Sequence, residues 1–114
     1  MTHMQKYNPY YSPEKLGMDL ISFDEPGMSY EYNTFLFVRT PDGRIFSASD
    51  AGCSCPTPFE ANEAATWEDC ILTMSQIENE VDAECQLRTW GKNWNGKSFL
   101  DDSDFRNLKN WFTK

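Results

Sequence analysis

No lysine or arginine occurs between residues 45 and 87, yet nine acids do: Asp50, Glu60, Glu63, Glu68, Asp69, Glu78, Glu80, Asp82 and Glu84. The rest of the chain carries ten bases against nine acids, so this stretch accounts for the formal charge of -8. Such a surface repels phosphate, which excludes direct binding of DNA or RNA; a basic surface on a protein partner is the ligand it would steer. Long apolar runs are also missing. None approaches the ~20 residues that span a bilayer, and Met1-Thr2-His3-Met4-Gln5-Lys6-Tyr7 lacks the apolar segment of a signal peptide. The expectation is a soluble, cytoplasmic protein with no membrane partner.

Histidine is nearly absent. His3 stands alone near the start, so no imidazole is at hand to activate a thiol, and the acids around the cysteines would raise thiol pKa values rather than lower them. No glycine-rich loop is built to cradle phosphate. Carboxylates are so common that finding two together says nothing about hydrolysis. An enzyme is therefore not expected, and no catalytic residue or cofactor is assigned.

The four cysteines do not form a metal box. Cys53 and Cys55 make one close pair, but Cys70 and Cys85 follow singly, whereas tetrahedral zinc is usually held by two close pairs. A reduced, cytoplasmic chain also argues against a disulfide framework. Cys70 and Cys85 read as small buried apolar residues. Gly52, Cys53, Cys55, Pro56, Pro58 and Phe59 read as an ordered structural loop, because no regular element accommodates two prolines and a glycine in so short a span. A metal- or thiol-dependent module centred on Cys53 and Cys55 is the alternative.

What the chain does contain is a clear strand pattern. Residues 1–17 form an arm with a helical turn that starts at Ser12-Pro13 and ends at Gly17. Residues 18–49 form a β-meander: a first strand at 18–24, a long alternating strand at 28–40, and a third from Arg44 to Ser49 after the Pro41-Asp42-Gly43 turn. The long strand carries Tyr30, Tyr32, Thr34, Leu36 and Val38 on one face, and Glu31, Asn33, Phe35, Phe37 and Arg39 on the other. Both faces become apolar toward its end, which implies a sheet covered on two sides.

Residues 50–66 are the Cys/Pro loop and 67–114 the helical part of a single domain. Thr66 or Asn62 caps a short helix. Residues 71–74 are a fourth strand or a helix extension. Ser75-Gln76-Ile77-Glu78 fits a capping box, so the main helix is expected to begin at Gln76, with Ile77, Val81 and Glu84 or Cys85 inward and Glu78, Glu80 and Asp82 outward. A second helix follows at 101–112, with Phe105, Leu108 and Phe112 as its apolar stripe. The expected fold is α+β: a three- or four-stranded antiparallel sheet packed by two C-terminal helices.

The run Gly52-Cys53-Ser54-Cys55-Pro56-Thr57-Pro58-Phe59-Glu60 follows Asp42-Gly43-Arg44-Ile45-Phe46, and the chain opens with Tyr10-Tyr11-Ser12-Pro13-Glu14-Lys15-Leu16-Gly17. Together they resemble a family of short acidic proteins of unknown function from actinobacteria and their bacteriophages that carries a GCSCPxPFE motif. The resemblance covers roughly the first 60 residues and loosens from Ala61 onward. It implies a phage or prophage origin, a host-cytoplasmic location and an α+β fold, and it brings no catalytic residues.

These readings converge on a non-enzymatic protein that binds a basic surface on a host or phage factor, in host takeover or anti-defence. The expected partner-binding residues are Glu78, Glu80, Asp82 and Glu84, with Trp90 and Trp94 as an aromatic pair beside Lys92 and Lys97. A structural homo-oligomer joined through Phe35, Phe37 or the Trp90 and Trp94 pair is the further alternative.

Overall fold

The computed structural model describes residues 5–27, 30–53, 57–92 and 95–114. Four strands, β1 (Asp19–Asp24), β2 (Glu31–Arg39), β3 (Ile45–Cys53) and β4 (Ser75–Ile77), form an antiparallel sheet in sequential order. The turn between β2 and β3 is the expected one: Gly43 sits at φ 88, and the Thr40 amide donates to the Arg44 carbonyl at 2.9 Å. It sets a register in which Val38 faces Phe46 and Leu36 faces Ala48.

Thr34, Phe35, Leu36, Phe37 and Val38 are all buried, so the middle strand needs cover on both faces. Each large apolar side chain fully removed from water there contributes about 1.5–3 kcal/mol. On one face Phe35, Phe37, Phe23, Ile45 and Ile77 pack against Ala83 and Leu87 of α2 (Glu80–Trp90) and Leu108 and Trp111 of α3 (Asp102–Phe112). On the other, Leu36, Val38 and Phe46 pack against Leu16, Met18, Phe59, Ala64 and Cys70. That second layer is assembled from the arm, the loop after β3 and the short α1 (Trp67–Cys70), which Thr66 caps by accepting the Asp69 amide. Tyr7 and Ala64 exchange main-chain hydrogen bonds, and Asn8 Nδ2 donates to the Pro58 carbonyl at 2.8 Å.

Several expectations are corrected. The Pro13–Leu16 turn ends at Gly17 as expected, but it is 3-10, and Ser12 makes no side-chain cap bond. Gly52 and Cys53 are not loop residues: β3 runs to Cys53 because β2 begins at Glu31 and its first residues need a partner, Tyr32 opposite Gly52 and Glu31 opposite Cys53. Cys55 and Pro56 lie outside the described residues. Of the two readings of residues 71–74 the helix extension holds, since Ile71–Thr73 continues α1 as a 3-10 turn, and the strand reading does not: the fourth strand is Ser75–Ile77, just beyond.

The main helix starts at Glu80, not Gln76. Ile77 is drawn into the sheet opposite Ile45 and buried there, and that pairing overrides the local Ser75 capping pattern. Asn79 is the cap, accepting the Asp82 amide at 2.9 Å, while Asp82 Oδ2 accepts the Glu78 amide at 3.0 Å. The buried stripe is consequently Ala83 and Leu87, and Val81 is 76% exposed. In α3 the expected stripe holds, with Trp111 added; Asp101 and Asp104 form the capping box. Trp111 Nε1 donates to Asp19 Oδ2 at 3.0 Å, pinning the helix to β1.

Replacing Asn79 with Ala should therefore cost about 1 kcal/mol in urea unfolding, while Ser75→Ala should stay within about 0.5 kcal/mol. The opposite ranking would restore the helix start at Gln76.

Candidate functional site

The Asp50 carboxylate ties the end of β3 to β2 and to the loop that follows. One oxygen, Oδ2, accepts the Phe59 amide at 2.7 Å and the Tyr32 hydroxyl at 3.1 Å; the other, Oδ1, accepts the Ala51 amide at 3.0 Å. Gly52 makes this possible. A Cβ there would stand 3.2 Å from the Tyr32 oxygen and would press the ring aside by a few tenths of an ångström, so glycine lets the ring lie across β3 and reach Asp50 without displacement. Desolvation first, then the bond to Asp50, raises the Tyr32 phenol above its ordinary pKa.

Beyond the strand, Phe59 adopts φ 60, a left-handed conformation that a bulky side chain avoids unless its surroundings enforce it. Here its amide is fixed by Asp50, and its ring is wholly buried, 5.4 Å from the Tyr10 ring. Pro58 precedes it, with its carbonyl held by Asn8. The loop therefore has a defined shape, set by Asp50 and Phe59 more than by its cysteines.

Four of the nine acids that set the charge, Glu78, Glu80, Asp82 and Glu84, sit on the helical side of the sheet. The side chains of Asp50, Glu60, Glu63, Glu68 and Asp69 belong to the opposite layer or its rim. Both groups lie on elements that follow β2 in the chain, and this acidic margin places carboxylates over both faces of the sheet, with Glu80 and Glu84 turned toward the groove between α2 and α3. It does not gather on one face. Among the described residues only Glu84 of the nine is ion-paired, to Arg88 at 2.8 Å. Asp82 is engaged at the helix start and also accepts from Gln86, and Glu63 accepts from Asn8. Glu60, Glu68, Asp69 and Glu78 are exposed.

Trp90 is not a free platform. Half-buried, it packs its ring 5.6 Å from Phe35 and 5.0 Å from Phe99 and donates from Nε1 to Asn33 Oδ1 at 3.1 Å. Trp94 lies outside the described residues. Phe37 is a wholly buried core residue, and Phe35 is buried with only its edge reaching a groove beside α2.

Two grooves flank the C-terminal half of β3. On the helical face, Phe35, Ser49, Cys85, Gln86, Thr89 and Trp90 line about 390 Å³. On the other, Tyr32, Asp50, Ala51, Thr57, Glu60 and Ala61 line about 420 Å³. Sequence reasoning missed Asp50, Tyr32 and Ser49 because it ended the strand at Ser49. The available signal was continued alternation, with Asp50 and Gly52 on one face and Ala51 and Cys53 on the other.

The cysteines differ sharply. Among the described residues no three of His, Cys, Asp and Glu are grouped to hold a metal. Cys53 and Cys85 are exposed, against the expectation that Cys85 is buried, while Cys70 is wholly buried and donates from Sγ to the Asn62 carbonyl at 3.2 Å. Burial pushes the Cys70 thiol up to about 11. In the native protein iodoacetamide should therefore modify Cys53 and Cys85 within minutes and leave Cys70 untouched until denaturant is added, as read by peptide mass mapping. The unfolded chain would release the Cys70 proton near pH 9, so this group's contribution to stability is intact below that pH and lost as pH climbs through about 11. A Cys70→Ala variant should lose that decline in chemical-denaturation curves.

No helix among the described residues is long and apolar enough to cross a membrane. No curated protein and no solved structure matches the chain. A family model does match, from the Tyr7 bridge to the first turn of α3. The chain belongs to the family described as Domain of unknown function (DUF7574), whose model spans residues 7–103.

Proposed function

We propose that this chain is a small, non-enzymatic, cytoplasmic binding protein whose acidic margin engages a basic surface on a protein partner. One observation carries the reading: of nine acids in a stretch without a single base, eight have no ion-pair partner among the described residues. Asp50, Glu63 and Asp82 are held by hydrogen bonds within the fold, while Glu60, Glu68, Asp69 and Glu78 are exposed. Left unpaired, they generate a field that attracts cations and speeds encounter with a positively charged protein.

The likeness of the Cys/Pro segment to short acidic proteins of actinobacteria and their phages supports a phage or prophage setting, with a host or phage factor as partner. Modulation of host machinery or defence fits a protein of this size and charge. Glu60, Glu68, Asp69 and Glu78 replace the helix acids as the leading contacts, since Asp82 and Glu84 are occupied within the chain.

The test is retention from host lysate by immobilised wild type beside a Glu60→Lys, Glu68→Lys, Glu78→Lys variant. Proteins held by the wild type should be lost from the variant. They should also elute as ionic strength rises from ~0.1 to ~1 M, which shortens the screening length from ~10 to ~3 Å. Equal recovery on both columns would remove the acidic margin from the account.

A further inference from the structure

The margin contains a docking edge. β4 pairs only with residues 45–47 of β3, so the rest of β3 has β2 on one side and no strand on the other among the described residues. Strand parity says which groups face outward. The Asn33 carbonyl accepts the Glu25 amide at 2.9 Å, so Asn33 turns its main chain toward β1, and Ala51, its partner in β3, turns its own away from β2. By alternation Ser49 and Cys53 do the same. Their side chains and that of Ala51 are small and leave the edge open to another backbone.

The two grooves described above lie on opposite faces of this edge at the same positions, one containing Ser49 and the other Asp50 and Ala51. A strand laid along it would send alternate side chains into each. One set would meet Phe35, Cys85 and Trp90; the other would meet Asp50 and Glu60. We propose that residues 49–53 of β3 accept an extended segment of a partner protein in which basic and apolar residues alternate, adding it as a further strand.

Charge decides against a second copy of this chain as the occupant. Edge-to-edge pairing of two copies would bring Asp50 and Glu60 of one toward the same residues of the other, and like charges across paired strands destabilise. The edge is also guarded. Asp50 Oδ1 already accepts the outward Ala51 amide, as Asp19 Oδ1 accepts the Leu20 amide on β1 at the far side of the sheet. A cationic side chain entering the acidic groove can draw Oδ1 aside while Oδ2 keeps Phe59 and Tyr32, so the guard yields to a basic strand more readily than to a neutral one.

The ligand class rests on the acidic-margin reading, whereas the docking mode rests on the edge, and the two fail separately. Fluorescence anisotropy with the full chain would compare a labelled ten-residue peptide of alternating Lys and Val, the same composition arranged in blocks, and alternating Glu and Val. The alternating Lys/Val peptide should bind about tenfold more tightly than the block peptide, and Ala51→Pro, which removes an outward amide while sparing the bonds to β2, should weaken it by about tenfold. On the wild-type protein, hydrogen exchange at the Ser49 and Cys53 amides should slow when peptide is bound, a readout independent of whether the proline variant folds. Equal binding of both Lys/Val arrangements, or unchanged exchange at those amides, overturns the edge as the site, even if Glu60→Lys still weakens binding and so preserves the acidic margin. Equal affinity for the Glu/Val peptide overturns the ligand class, and the acidic reading with it.

Discussion

Five successive buried residues in β2 leave the sheet with no face to give to water, and most of the architecture follows from that demand. A short chain cannot meet it with two regular layers. It spends its two long helices on the face of Phe35 and Phe37 and improvises the other from an N-terminal arm, a strained loop and a single helical turn. Irregular backbone covering an apolar face must satisfy its own polar groups. The Tyr7 to Ala64 bridge, the Asn8 bond to Pro58 and the Asp50 bond to Phe59 do this in the improvised layer.

Features governed by neighbouring residues were legible in the sequence. Alternation in β2, the Pro41-Asp42-Gly43 turn and the stripe of α3 depend on spacing alone, and the structure has all three where they were expected. Features that depend on distant residues were not. Ser75 and Glu78 have the right chemistry for a helix start, but Ile45, thirty residues away, claims Ile77 for the sheet. Cys53 reads as loop because of the prolines that follow it, yet Glu31 supplies the partner that keeps it extended. The role of Asp50 was hidden for the same reason: each of its contacts becomes visible only once β3 is known to run past Ser49.

Excess negative charge and an open sheet edge are usually treated as separate matters, one of solubility and one of aggregation. Here they occupy the same stretch of chain. Like-charged carboxylates on identical molecules repel one another, and an aspartate bonded to an outward amide blunts the edge locally. Asp19 repeats the device on β1, so one outward amide on each of these two strands is capped by the side chain just before it. A protein protected in this way can leave a backbone edge accessible without polymerising through it.

The improvised layer also has a history in time. Tyr7, Leu16 and Met18 are synthesised before Phe59, Ala64 and Cys70, on which they rest and which follow some fifty residues later. Until then the opening segment has nothing to dock on, while the β2 and β3 hairpin can already zip. The arm thus settles only after residues 59–70 emerge, and α2 and α3, made later still, close the other face.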